Sequence, residues 1–174
     1  MNSHQRHKPR ASVTLTVRPS APQDIAYLAP RLRKADLDSI LAAGSPSAEK
    51  SLNDGLAFSD LCLTGTDKLD NPVLMFGTVP YTDTTMAQVW LMASDEIDNH
   101  WRSLNRLAAE YLVVVHQKYH ILSNAIDCRN ATHLRWLRWR GFHSIREVPG
   151  YGPGHLPFTE IASIRNAACA NPLH

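Results

Sequence analysis

The chain has 174 residues, of which 44% are hydrophobic and 20% charged. That describes one globular domain with a core of its own, and it excludes a disordered chain, a collagen and a low-complexity polymer. The net charge is only +2, which by itself points to no strongly charged partner.

Residues 1–11 read as a flexible basic tail. No signal-like apolar stretch follows it, which argues against secretion, and no apolar run reaches the roughly 20 residues that span a bilayer. SVTLTV at 12–17 alternates as a half-buried strand does, and Pro19, Ser20 and Pro22 mark a turn. Ile25, Leu28, Ala29 and Leu32 then predict a helix that Pro30 breaks or kinks. Leu37, Ile40 and Leu41 form a short second apolar face. Ser45-Pro46 is read as a helix cap followed by proline, with Ala48, Leu52 and Leu56 on the face beyond it. Runs 61–64, 73–79 and 87–93 predict an antiparallel meander. The third run is nearly all apolar and should be a central strand. Trp101 to Val115 predict a long helix over about 100–119. ILSNAID at 121–127 returns as a strand. Asn130 or Thr132 caps a helix through HLRWLRWR that stops at Gly141. HSIREV at 143–148 is strand-like, PGYGPGHLP is too rich in Gly and Pro for a regular element, and FTEIASI at 158–164 closes the domain. Residues 165–174 read as a tail.

This mixed order predicts an α/β (α+β) domain over 12–164: about seven strands in a largely antiparallel sheet, flanked by about four helices. The order, with NATHLRWLRWRGF near its end, resembles the GNAT (Gcn5-related N-acetyltransferase) fold over about residues 12–164, with Asn130, Gly141 and Phe142 at family places. The resemblance implies a diphosphate-binding glycine turn at the head of the long helix, where free N–H groups and the helix dipole favour an anion. The stretch 94–106 has no glycine; Trp101 and Ser103 stand near the glycine places, beside Asp95, Glu96 and Asp98. It also implies a tyrosine four residues before Gly141, where this chain has Leu137. No general base is evident; Asp83 and Asp127 sit at strand ends, where acids are commonly just solvated.

A narrower resemblance is to the GNAT-like internal virion and assembly proteins of T7-type short-tailed bacteriophages. It rests on Trp90-Leu91, the Ser94–His100 turn, Asp127 to Asn130, His133 and Arg135 to Trp139, together with Ser47-Ala48-Glu49 and Gly55 to Ser59. It implies a non-enzymatic virion or assembly protein, located in the virion or host cytoplasm. The implied partners are other phage structural proteins, packaged DNA and further copies of the chain, with no membrane and no cofactor. The alternative is an acetyl-CoA-dependent N-acetyltransferase with an atypical diphosphate turn.

The small net charge hides a pattern. Residues 1–34 sum to +6, 35–98 to −9, 102–146 to +6 and 147–174 to −1. Such halves either neutralise each other after folding or offer complementary surfaces to neighbours. Arg135, Trp136, Arg138, Trp139 and Arg140 are the candidate interaction residues, with arginines for phosphates and tryptophans for stacking. The competing reading buries Leu134, Leu137 and one tryptophan and leaves the arginines solvated. His116 and His120 have metal-like spacing but no third ligand, so no metal site is expected. Cys62, Cys128 and Cys169 are odd in number and widely spaced, as in a reducing compartment. Cys62 reads as a core thiol.

Overall fold

The computed structural model describes residues 14–82 and 84–165. The 1–11 tail, Ser12 and Val13, Asp83, Cys169 and all of the C-terminal tail beyond Arg165 lie outside the described residues. Seven strands form one sheet: β1 (Thr16–Pro19), β2 (Leu61–Thr66), β3 (Pro72–Pro80), β4 (Met86–Ala93), β5 (Ile121–Asp127), β6 (His143–Tyr151) and β7 (Leu156–Ile164). Their order is β1-β2-β3-β4-β5-β7-β6. Only β4 and β5 pair in parallel; every other neighbour is antiparallel. The α-helices among the described residues are α1 (Pro22–Leu28), α2 (Lys34–Ala42), α3 (Ala48–Phe58), α4 (Trp101–Lys118) and α5 (Ala131–Trp139).

The fold class is the one expected, with five helices where about four were predicted. Pro30 accounts for the extra one. It cannot donate a helical hydrogen bond, so α1 tightens into a 3-10 turn at Ala29–Arg31 and α2 starts afresh. The cap of α3 is Ser47, whose Oγ accepts from the Lys50 N–H at 3.1 Å, and not Ser45. Ser45 instead donates its hydroxyl to the Ser47 carbonyl. The Gly/Pro-rich stretch at 149–157 is largely strand. β6 runs on to Tyr151 with a register shift, and the pair Tyr151↔Leu156 closes the hairpin. Antiparallel pairing to β7 supplies what local propensity does not.

Side chains alternate across the sheet as strand geometry requires. Leu74, Phe76 and Val89 pack with Leu104, Leu134 and Leu137, on the face covered by α4 and α5. Met75 and Met92 pack with Ile25, Leu28 and Leu52, on the face covered by α1 and α3. Leu28, Leu52 and Met75 are fully buried, each worth about 1.5–3 kcal/mol relative to exposure.

A buried carboxylate anchors the first helix. Asp24 receives both terminal nitrogens of Arg18 at 2.8 Å, the Thr64 hydroxyl at 2.8 Å and the Ala21 N–H at 2.9 Å. Burial pushes its pKa up, but Arg18 and the other donors outweigh it and hold the carboxyl below its ordinary value. A depressed folded-state pKa gives stability above the unfolded value, lost as pH falls through the folded one. Asp24→Ala, which strands Arg18, should destabilise the domain by about 3 kcal/mol at pH 7. The penalty should shrink as pH drops below about 4. Urea unfolding of both proteins across that range measures it.

Candidate active site

β4 and β5 pair only at Met86↔Ile121, Ala87↔Leu122 and Gln88↔Ser123. Beyond these, β4 continues on β3 as far as Ala93, and β5 continues on β7 as far as Asp127. The two strands open into a fork whose inner edges have lost their partners. A buried backbone group without a partner is costly, and side chains repair most of this edge. The Asn124 Nδ2 donates to the Val89 carbonyl at 2.8 Å, while its Oδ1 accepts from Gln88 Nε2 at 3.2 Å and from the Ala125 N–H at 2.7 Å. At the far end the Ala93 N–H donates to Asp36 Oδ2 at 2.9 Å, and the Ala93 carbonyl accepts from the Arg33 N–H at 2.9 Å. Leu91 lies midway. Strand alternation turns its N–H and carbonyl to the same inner edge as those of Val89 and Ala93. The β4–β5 ladder has ended before it, at Gln88↔Ser123.

Two cavities meet at the fork. A narrow apolar one of about 60 Å³ lies between α4, α5 and the sheet, lined by Leu104, Leu107, Tyr111, Trp136 and Leu137. A wider, more polar one of about 250 Å³ opens on the opposite face, with Asp36, Ser39, Asp127 and Tyr151 in its wall. Trp90, Leu91, Asn124, Ile126 and His133 line both. Trp90 is fixed by a glycine slot. A Cβ on Gly55 would stand 2.5 Å from its ring and one on Gly77 2.9 Å from its indole nitrogen. The indole N–H donates to Ser59 Oγ at 2.9 Å.

Asn130 places His133. Its side chain caps α5 by accepting the His133 N–H at 3.3 Å, so His133 sits in the first turn facing the fork. Burial pushes its imidazole down to about 4; Asp36 pulls the other way and Arg33 adds to the fall. The ring is therefore neutral at pH 7. It leans on Trp136 at 5.9 Å between ring centres, and no hydrogen bond joins it to a described residue. The sequence marked His133 only as part of the phage-protein likeness, not as an acid or base; the cap at Asn130 was the legible clue to its place in the helix.

The other candidate acids and bases are already engaged. Asp127 is not solvated: it is buried and paired with Arg129 at 2.5 Å, which outweighs burial and keeps its pKa low. The Tyr111 hydroxyl is hydrogen-bonded to that of Thr78, and burial raises its pKa. The Tyr119 hydroxyl donates to Asp60. Both ring nitrogens of His116 are within hydrogen-bond reach of partners, the Tyr119 carbonyl and Ser163 Oγ. Burial pushes the Cys62 thiol up.

The head of α4 does not fit a diphosphate. A 3-10 helix at Asp95–His100 runs straight into α4, so the free helical end lies back at Ser94. Exposed Asp95 and Glu96 occupy that end with Asp98, where the dipole welcomes carboxylates and they repel a further anion. Trp101 projects at one glycine place, and Ser103 Oγ at the other accepts the Leu15 N–H at 3.0 Å.

The predicted interaction cluster divides. Trp136 donates its indole N–H to Asn105 Oδ1 at 2.9 Å, and Arg140 Nη1 donates to the Asn105 carbonyl at 3.0 Å; together they fasten α5 to α4. Arg140 also lies 3.8 Å over the Trp139 ring. Arg135, Arg138 and Trp139 face outward, and Leu134 and Leu137 are buried.

No protein-family model and no curated protein matches the sequence. Solved structures do. A ribosomal-protein-alanine N-acetyltransferase from Escherichia coli aligns at 17% identity over 92% of this chain and 100% of its own, with a TM-score of 0.63. A GNAT superfamily phosphinothricin acetyltransferase from Sinorhizobium meliloti, solved in complex with AcCoA, aligns at 12% identity over 92% and 94%, with a TM-score of 0.65. A GCN5-related N-acetyltransferase from Kribbella flavida gives 14%, 87%, 98% and 0.64. The chain has the fold of the GNAT acyl-CoA N-acetyltransferases. The expected role as a phage virion or assembly protein is overturned, because these neighbours are acetyltransferases and nothing links the chain to a phage particle. The residues quoted for that likeness have local structural work: Trp90 fills the glycine slot, Ser94–His100 starts a helix, and Asp127 to Asn130 make the turn into α5. Among the described residues no helix is long and apolar enough to cross a membrane.

Asn124→Ala should leave the Val89 carbonyl unpaired at the fork and cost about 1–2 kcal/mol, measured as a lower urea midpoint with unchanged slope.

Proposed function

We propose that the chain is an acetyl-CoA-dependent N-acyltransferase with an atypical diphosphate turn. The observation that carries this reading is the unpaired edge at Leu91, set between two cavities that meet at the fork. The acyl donor supplies an activated carbonyl. The Leu91 N–H is the group suited to hold that carbonyl oxygen and to stabilise charge developing on it. Asn124, Asp36 and Arg33 bond Val89 and Ala93 on either side of Leu91. The narrow apolar cavity, once widened, would take the thioester arm. The wider polar cavity on the other face suits the amine acceptor, so the two substrates meet across the sheet. The N-acetyltransferase activities of the structural neighbours support the acyltransferase reading.

Adding acetyl-CoA should raise the melting temperature saturably, as a ligand specific for the folded state does. Thiol release should follow with an amine present; spermidine, phosphinothricin and a peptide with amino-terminal alanine are the acceptors to try. A flat melting curve at millimolar acetyl-CoA, with no thiol released, removes the reading.

The three acids at the head of α4 oppose an anionic donor. Asp95→Asn, Glu96→Gln and Asp98→Asn together should lower the KM for acetyl-CoA by about 3- to 10-fold at low salt, with less effect at high salt. An unchanged KM at low salt would place the donor's phosphates away from this helix end.

A further inference from the structure

We propose that His133 is the catalytic proton-transfer group of the fork, carrying a proton from the acceptor amine to the departing thiolate. This rests on the acyltransferase reading. Among the described residues, five side chains line both cavities, and His133 is the only titratable one. A group that must receive a proton from the acceptor side and deliver it to the donor side has to touch both.

The second observation is that the ring is uncommitted. Its ring neighbour is Trp136, tilted at 45°, and no described residue hydrogen-bonds the imidazole. The carboxylates near it are spoken for. Asp36 is held by Arg33 and the Ala93 N–H, and Asp127 by Arg129. Arg140 borders the narrow cavity but is held by Asn105 and Trp139, and Tyr151 borders the wide one stacked on Phe158. One turn further along α5 stands Leu137, an aliphatic wall that cannot exchange protons.

The third is protonation. Desolvation lowers the pKa of this half-buried imidazole to about 4, so the ring is neutral at pH 7. A neutral imidazole has one nitrogen lone pair and one N–H, so it can accept and donate in the same turnover. The neutral amine attacks the thioester carbon through its lone pair, and the carbonyl π electrons move onto oxygen beside the Leu91 N–H. The nitrogen, now positive, loses a proton to the free imidazole nitrogen. As the oxyanion reforms the carbonyl, the C–S bond breaks and its electron pair leaves on sulfur. The imidazolium gives the other nitrogen's proton to that sulfur. Amide and thiol result, and His133 returns to its neutral form with its tautomer exchanged.

The test uses the full chain, acetyl-CoA and the amines named above, with thiol release as readout. His133→Ala should lower kcat by about 100-fold or more, the usual weight of general acid–base catalysis, while the KM for acetyl-CoA moves by less than about 3-fold. Imidazole added to the buffer should restore part of the lost rate, which a merely structural histidine would not show. If the alanine variant does not fold, His133→Gln gives the same readout. A kcat within about 3-fold of wild type overturns the assignment. So does a loss that imidazole leaves untouched, or one produced instead by Tyr151→Phe. Wild-type protein that binds no acetyl-CoA and releases no thiol overturns the acyltransferase reading itself, and His133 falls with it.

Discussion

β4 and β5 stop hydrogen-bonding after Gln88 and Ser123, yet both strands continue inside the protein. A strand edge in that position cannot be left bare, because unpaired buried N–H and C=O groups cost about as much as the hydrogen bonds they lack. The groups that repair the edge define the site by what they leave over. Asn124 takes Val89. Asp36 and the Arg33 backbone take Ala93. Leu91 falls between the two repairs, too far along for Asn124 and too early for α2.

The same repairs hold the halves of the domain together. One half-sheet is β1-β2-β3-β4 and the other is β5-β7-β6, and little backbone pairing joins them. Asn124 reaches across from the second half to the first. Asp36 reaches from α2 to the end of β4, and the Leu32↔Ser94 bridge ties down the segment before it. A buried carboxylate is stable only when its oxygens are satisfied, so Asp36 and Asp24 each fix their helix to one place on the sheet. The packing on the α1 side is therefore aimed by charge and then filled by Leu28, Leu52 and Met75.

Most of the fold was legible because the strands announce themselves by composition and spacing. The run at 87–93 reads as a central strand, and it is the fourth of seven. The long helix and the Asn130 and Gly141 ends of α5 follow from capping and from a residue at φ 92°. The second half of β6 was not legible. Pro149, Gly150 and Gly152 have poor strand propensity, and only pairing with β7 recruits that segment. The site was less legible still. Its key backbone group belongs to Leu91, which sequence shows only as one apolar residue in an apolar run. Openness at that edge depends on Asn124, 33 positions away in the chain. His133 was hidden for a related reason: its distinction is to border both cavities, a property of two helices and a fork together. The phage likeness drew on Trp90, the 94–100 turn and the Asp127–Asn130 turn, and all of these answer to local packing.

On the acyltransferase reading, the narrow cavity would hold the donor's arm, and its width is set by two helices. The cavity is narrow, about 60 Å³, so a thioester arm would have to widen it. The slot is set by how closely those helices are fastened, and the fastening converges on Asn105. Its side chain accepts from Trp136 and its carbonyl accepts from Arg140. Arg140 is a strained partner, because its Nε is buried with no acceptor and burial lowers its pKa. A contact that leaves a charged donor unsatisfied gains less than a complete one. The α4–α5 seam is therefore an incompletely satisfied polar joint beside the cavity.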